Sequence, residues 1–326
     1  MTPHAPAAAP SLAASAKKRN RKRTAIITTV VVLVLLLAWP IGLVMWADGQ
    51  INHVDALSGA PNTPGTTYLI AGSDQRGSGG IDNPDVSGAR SDTIMVLHRP
   101  TSGPAALISI PRDSFVDIPG HNSSRINASF AWGGPPLLVQ TVELLTGLTI
   151  DHYVEIGFGG VEDVVNAVGG VELCSDLNVE FEPHSQFSWT PGCHHADGTQ
   201  ALAFSRMRYA DPRGDIGRAE RQQQVVGAIA GSVGPSLLFQ PARQVHLIEA
   251  GLGAVATDER SGIIDLGRMA LTFRAANGPD GITGTPPLGS LNYHGGAVQL
   301  DPDQGPGFWR AIADGTLPSG QVGGMP

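Results

Sequence analysis

The stretch Phe204-Ser-Arg-Met-Arg-Tyr-Ala-Asp-Pro-Arg-Gly-Asp-Ile-Gly-Arg-Ala-Glu-Arg-Gln-Gln-Gln224 puts five arginines into sixteen residues: Arg206, Arg208, Arg213, Arg218 and Arg221. Crowded guanidinium groups repel one another, so the stretch implies an anionic partner, and a phosphate-bearing substrate suits it. Its local reading has two parts. Arg206 and Arg208, two apart, point to one side if extended, and together they would grip one diphosphate. From Asp215, a candidate N-cap, the pattern turns helical. Arg218, Arg221 and Gln222 then share a face close to a helix start, where unsatisfied backbone N–H groups and the dipole favour an anion. The competing reading pairs Arg218 and Arg221 with Asp215 and Glu220 at the surface. Arg213, in the turn between the two parts, reads as solvated.

Charge elsewhere sharpens the contrast. The chain has 326 residues and a formal net charge of −8. All three lysines (Lys17, Lys18, Lys22) lie with Arg19, Arg21 and Arg23 in one N-terminal patch. Removing those six cations leaves −14 on the remainder, whose only cations besides His are arginines. A domain this acidic is a poor non-specific binder of nucleic acid. Arginine's planar fork suits phosphate and carboxylate.

Residues 1–23 read as an Ala/Pro/Ser-rich disordered tail ending in the basic patch. No charge occurs from Thr24 to Ala47. Twenty-four helical residues reach roughly 36 Å, enough for a bilayer core of about 30 Å. Trp39 and Trp46 would sit at an interface, and the cations before the span place the N-terminus inside. The apolar run is longer than a signal-peptide core and no Ala-x-Ala site follows, which favours an uncleaved transmembrane anchor over a cleaved leader. Residues 48–64 read as a linker, 65–317 as one extracytoplasmic domain and 318–326 as a flexible tail. Within the domain, strands are expected at Thr66–Ala71, Thr93–His98, Ala105–Ile110, Tyr153–Ile156 and Gly170–Cys174. Helices are expected at Ala128–Thr146, Gly159–Ala167, Gly198–Ser205 and Asp215–Val233, and the 177–198 segment as an irregular insertion. Two further helical patterns (242–252, 261–275), short strands near 282–286 and 297–300, and a helix near 305–314 complete an α/β alternation around one buried sheet. Cys174 and Cys193 form a disulfide or stay as two free thiols, according to compartment.

Pro111 ends a buried strand and puts Arg112 and Asp113 at its carboxyl end, where open α/β sheets commonly bind substrates. Asp74 and Asp92 both stand where an apolar strand meets a polar loop, near Arg76 and Arg90. Such carboxylates among arginines suit Mg²⁺ bridged to phosphate oxygens; equally, they would cap turns or pair with Arg76 and Arg90.

Six motifs occur in a fixed order: Gly72-Ser73-Asp74-Gln75-Arg76, Arg90-Ser91-Asp92-Thr93, Ser109-Ile110-Pro111-Arg112-Asp113, Arg125-Ile126-Asn127, Arg206-Met207-Arg208 and Asp215-x-Gly-Arg218-x-x-Arg221-Gln222-Gln223. In this order the chain resembles the LytR-CpsA-Psr family of membrane-anchored cell-wall phosphotransferases. Arg125 stands where lysine is usual and keeps the charge. The resemblance implies an α/β/α fold around a central mixed sheet, after one N-terminal transmembrane helix, and an apolar groove for a polyprenyl chain. It implies Mg²⁺ on Asp74 and Asp92, and pyrophosphate contacts from Arg76, Arg90, Arg112, Arg206, Arg208, Arg218 and Gln222. The catalytic set is then Arg112, Asp74 and Asp92, with the acceptor's base sought at Asp74 or around Asp92. The implied reaction carries a glycan phosphate from a polyprenyl diphosphate-linked glycan to a peptidoglycan hydroxyl. Two other functions fit the same residues: a polyprenyl-diphosphate pyrophosphatase, and a non-catalytic membrane-anchored binder or regulator of lipid-linked glycans. The Ala-, Gly-, Pro- and Arg-rich, Lys-poor composition suits a high-GC actinobacterium.

Overall fold

The computed structural model describes residues 13–73, 91–183, 185–232 and 240–324. Two compact units divide at residue 49. The first contributes one helix, α1 (Ala13–Asp48), which includes Pro40. Among the described residues no helix is long and apolar enough to cross a membrane.

The second unit, Gln50–Pro326, holds everything else. It opens with β1 (Asn52–Val54), β2 (Thr66–Ser73), β3 (Ser91–Arg99), β4 (Ala106–Ile110), β5 (Phe115–Val116) and β6 (Ser124–Arg125). Then come α2 (Asn127–Thr146), β7 (His152–Gly157), α3 (Phe158–Val168), β8 (Val171–Ser175), β9 (Val179–Glu182), β10 (Phe187–Trp189) and β11 (Gly192–Ala196). The remainder is α4 (Gly198–Arg206), α5 (Asp215–Ser232), α6 (Pro241–Gly253), β12 (Val255–Asp258), α7 (Ile263–Ala276), β13 (Ile282–Tyr293), β14 (Ala297–Leu300), α8 (Gly305–Ala313) and β15 (Gly320–Gly324).

Nine strands make one mixed sheet in the order β1-β12-β7-β2-β3-β4-β13-β14, with β15 also on β13. The central β2, β3 and β4 run antiparallel to their neighbours in turn. β2 pairs with β7 in parallel, and β4 with β13 in parallel. Side chains alternate faces along a strand. Leu69, Val96 and Ile108 therefore meet one core, with Phe130, Val139 and Val142 of α2 and Trp309 and Ile312 of α8. Tyr68, Ile70, Leu97 and Leu107 meet the other, with Phe273 and Ala276 of α7. Both faces are covered, which is why the strands read as continuous apolar runs, and the layering is the expected α/β/α.

Three departures from the sequence reading stand out. The 48–64 segment is not linker throughout: β1 pairs in parallel with β12, and His53 Nδ1 lies 2.9 Å from the Asp258 carbonyl oxygen. Three residues are too few for a periodic signal, and the strand exists only because β12 offers an edge. The 177–198 insertion is not irregular. It forms β9, β10 and β11 around a small core of Val179, Phe187 and Trp189 against Phe204. In the β8/β11 ladder Cys193 lies opposite Cys174, and the two form a disulfide. Finally, the tail is ordered over Gly320–Gly324, which pairs in parallel with β13 as Ile282↔Gly320, Thr283↔Gln321 and Gly284↔Val322. Glycine permits this approach: a Cβ on Gly323 would meet the Thr285 carbonyl oxygen at 1.6 Å, and one on Gly284 the Val322 oxygen at 2.0 Å. A strand with three glycines and one apolar side chain, Val322, has no hydrophobic pattern by which a sequence could announce it.

Candidate functional site

The carboxyl end of β4 opens into a cleft of about 520 Å³. Arg112, Asp113, Arg208, Arg213, Arg218 and Gln222 line it beside the apolar Ile94, Ile110, Leu288 and Val322. Pro111 stops β4, the Asn127 N–H donates to the Arg112 carbonyl (3.1 Å), and the Ser114 N–H to that of Pro111 (2.9 Å). Arg112 is thus held at a strand end with its side chain only 19% exposed. The Asp113 carboxylate sits between Arg112 (Nε, 3.5 Å) and Arg125 (Nε, 3.7 Å).

The arginine-rich stretch divides differently from its sequence reading. Arg206 and Arg208 are not an extended pair. Arg206 closes α4, Met207 leaves the helix at φ −56° and ψ 130°, and Arg208 then lines the cleft whereas Arg206 is not among its lining residues. Nor do Arg218, Arg221 and Gln222 act as one set. Arg218 and Gln222, one turn apart, line the cleft. Arg221 is 5% exposed and turns inward. Its guanidinium donates to the Asp211 carboxylate and to the carbonyls of Phe204 and Met207. It is an internal clamp joining α5 to the end of α4, and it fixes the chain on both sides of Arg208. Gly217 makes the clamp possible, since a Cβ there would meet Asp211 Oδ2 at 1.8 Å. The glycine of the Asp-x-Gly-Arg spacing therefore serves close backbone approach. Arg213, read from the sequence as solvated, is 56% exposed but lines the cleft rim and pairs with Glu220 at 2.6 Å and Asp211 at 3.6 Å.

Burial alone would raise the Asp211 carboxyl pKa. The Arg213 backbone N–H and the Arg221 guanidinium outweigh it and hold the group below its ordinary value of 3.8. For Gln222, the side-chain oxygen accepts from Thr93 Oγ1 at 2.6 Å, tying α5 to β3.

Asp74, Arg76 and Arg90 lie outside the described residues. The backbone of Asp92 is placed in β3, at a register shift between the Gly72↔Thr93 and Ser73↔Ser91 pairs.

One residue of the site left no sequence signal. Glu182, at the end of β9, is 4% exposed, and its Oε1 accepts the backbone N–H groups of Tyr209 (2.9 Å) and Arg208 (3.3 Å). The disulfide-closed insertion thus delivers a carboxylate to the backbone that aims Arg208. Replacing Glu182 by alanine leaves two N–H groups without that acceptor. We expect affinity for inorganic pyrophosphate, measured by calorimetry, to fall about tenfold, and Glu182→Gln, which keeps the acceptor oxygen, to retain most of it.

Residues 47–258 match the LytR_cpsA_psr family. The chain is 39% identical over 273 residues to a Corynebacterium glutamicum protein named Probable cell wall biosynthesis protein LcpB, across 79% of this chain and 64% of that one. It is 37% identical over 206 residues to the polyisoprenyl-teichoic acid–peptidoglycan teichoic acid transferase TagU of Enterococcus faecalis, across 61% of this chain and 65% of that one. The matched region thus spans a little under two thirds of each relative's length. In fold, the chain is similar to a LytR-Csp2A-Psr enzyme from Actinomyces oris, with a TM-score of 0.63 and 20% identity over 81% of this chain and 96% of that one.

Proposed function

The chain belongs to the LytR_cpsA_psr family, and from that premise we propose that it moves a glycan phosphate from a polyprenyl diphosphate carrier to a peptidoglycan hydroxyl, releasing polyprenyl phosphate. The observation that carries this reading is the cleft itself. Guanidinium groups from separate parts of the chain, Arg112 from the end of β4 and Arg208 and Arg218 from around α4 and α5, converge on one apolar-walled space. A diphosphate with a lipid on one side and a sugar on the other needs that combination of charge and apolar wall. The relative TagU bears a name that describes a transfer of this kind.

In the proposed reaction the acceptor oxygen attacks the glycan-bearing phosphorus. The bond to the bridging oxygen breaks, and its electron pair leaves on the polyprenyl phosphate. The hydroxyl proton passes to Asp74 or to a carboxylate around Asp92. Arg112, Arg208 and Arg218 bind the diphosphate and offset charge that builds on the bridging oxygen, while the N-terminus of α5 adds its free N–H groups. Gln222, fixed through Thr93, orients the phosphate oxygens. Arg76, Arg90 and Arg206 extend the set on the strength of the motifs alone. On the strength of the motifs, Asp74 and Asp92 are the carboxylates that would hold Mg²⁺, which would supply further charge neutralisation when bound. We place the membrane anchor at Thr24–Ala47, supported by its helical backbone, its lack of charge and the basic patch before it. The catalytic unit then lies outside the cell membrane.

The test uses the purified full-length chain in detergent with a polyprenyl diphosphate-linked glycan and a peptidoglycan oligosaccharide. Polyprenyl monophosphate should appear together with a covalent phosphodiester product, and only when the acceptor is present. Release that is independent of acceptor identifies a pyrophosphatase instead, and binding without turnover identifies a regulator.

A further inference from the structure

The cleft has two chemically different walls. The α4–α5 side brings guanidiniums. The β13–β14 side brings none: between Asp280 and Asp301 there is no Asp, Glu, Lys or Arg. Its hairpin carries Leu291, Asn292, Tyr293 and His294 on the ascending side, and Leu291 and Gly296 reach the cleft lining.

The hairpin tip is an organised aromatic group. The His294 ring stacks on Phe115 with centroids 5.1 Å apart and planes at 26°. Tyr293 meets Phe115 edge-on at 5.5 Å and His294 edge-on at 4.2 Å. The tip is also fastened to the site. Arg125 Nη2 donates to the Gly295 carbonyl (3.0 Å), and the Val298 N–H donates to that of Asp113 (2.9 Å). His294 is exposed and holds φ at +40°, a conformation that side chains other than glycine rarely adopt. Two glycines follow it, so a relaxed turn was within reach of the sequence, yet a ring stands here.

We propose that this tip is a saccharide platform that seats the acceptor glycan next to the diphosphate cleft. Aromatic faces carry negative quadrupole potential and attract the C–H-lined face of a pyranose ring. The exposed Asn292 amide supplies a donor and an acceptor for hydroxyls. A ring-and-amide wall beside a wall richer in guanidinium groups divides the substrates by chemistry, phosphate to one and sugar to the other. This inference rests on the transfer reading above. A pyranose ring could come from the donor's glycan or from the acceptor strand, and the test separates the two.

His294→Gly removes the ring and relaxes the backbone, so a loss of function cannot be assigned to strain or misfolding; Tyr293→Leu is its companion. With the full-length protein in detergent, KM is measured separately for donor and acceptor. Each substitution should raise the acceptor KM about tenfold, the size expected for one lost ring contact, and move the donor KM less than twofold. An unchanged acceptor KM, or a change confined to the donor KM, overturns the assignment. Direct binding of a soluble peptidoglycan oligosaccharide, followed by saturation-transfer NMR, gives a second readout. If the unaltered protein transfers nothing but binds the oligosaccharide in a His294-dependent way, the platform stands and the transferase reading falls. If the protein transfers the glycan and both variants bind and react as it does, the platform falls and the transferase reading stands. An unaltered protein that neither binds the oligosaccharide nor transfers the glycan overturns both.

Discussion

Arg112→Ala lowers glycan transfer by on the order of 10²-fold or more, the loss typical of removing one preorganised charge-stabilising contact. The expectation rests on placement. Arg112 stands at the end of a buried strand, its backbone fixed by Asn127 and its neighbour Pro111 by Ser114. The guanidinium is mostly shielded and lines the cleft. A cation held in place before the reaction needs no reorganisation as charge moves to the bridging oxygen, and partial burial keeps water from screening it. The loss should fall chiefly on kcat if the contact tightens in the transition state, and on KM if it only binds. Arg112→Lys retains charge but loses the two-pronged fork, so an intermediate rate is expected. The measurement is steady-state release of polyprenyl monophosphate by the purified protein. A rate within a fewfold of the parent for Arg112→Ala removes this residue from the catalytic set.

Arg221→Met unfolds more than it inactivates. The substitution leaves the Asp211 carboxylate and the carbonyls of Phe204 and Met207 buried without their shared donor. Breaking a buried pair by removing one partner costs about 3–5 kcal/mol, which for a unit of this size lowers Tm by on the order of 10 °C. Far-UV circular dichroism melts of parent and variant check this. The effect has a pH signature. The Asp211 carboxyl is held below its ordinary value of 3.8 in the fold. A depressed carboxylate contributes stability that is fully present above the unfolded chain's value and is lost as pH falls through the folded value. The difference between parent and variant should therefore be full at neutral pH and shrink as pH drops below 3.8. A Tm for Arg221→Met equal to that of the parent at pH 7 would show that the clamp contributes nothing. Arg218→Met is the contrasting change: it removes a cleft cation, so it should cost far more activity than stability.

These two experiments bear on residues that look alike on paper. Arg112, Arg218 and Arg221 are all arginines within the ordered motifs, and sequence spacing put Arg218 and Arg221 on one helical face. The hundred degrees that separate successive helical residues leave a broad face, and only the neighbours decide where each side chain goes. Arg221 meets Asp211, held in place because Gly217 has no side chain. Arg218 meets the cleft. Likewise the two-residue spacing of Arg206 and Arg208 is a same-side arrangement only in a strand. The helix α4, started by the Asp197–Gln200 capping box, runs through Arg206 and breaks that geometry.

The long periodic elements were legible. Buried strands β2, β3, β4 and β7 and helices α2, α3, α5 and α8 follow from apolar runs and helical periods, because burial on both sides of a sheet leaves a local trace. The elements that were missed depend on partners distant in the chain. β1 needs the edge of β12, β15 needs the glycine-lined approach to β13, and the β9–β11 insertion needs a core shared with Phe204.

The sequence alone determined the family: arginines in six ordered motifs and a charge-free N-terminal run are local properties of the chain. The tertiary structure decided which of those arginines meet the cleft, which one clamps the fold, and that Glu182 and the β13–β14 hairpin belong to the site at all. Side-chain direction is set by contacts such as Glu182 to Tyr209 and Thr93 to Gln222, 27 and 129 residues apart, and no local pattern encodes a contact of that range.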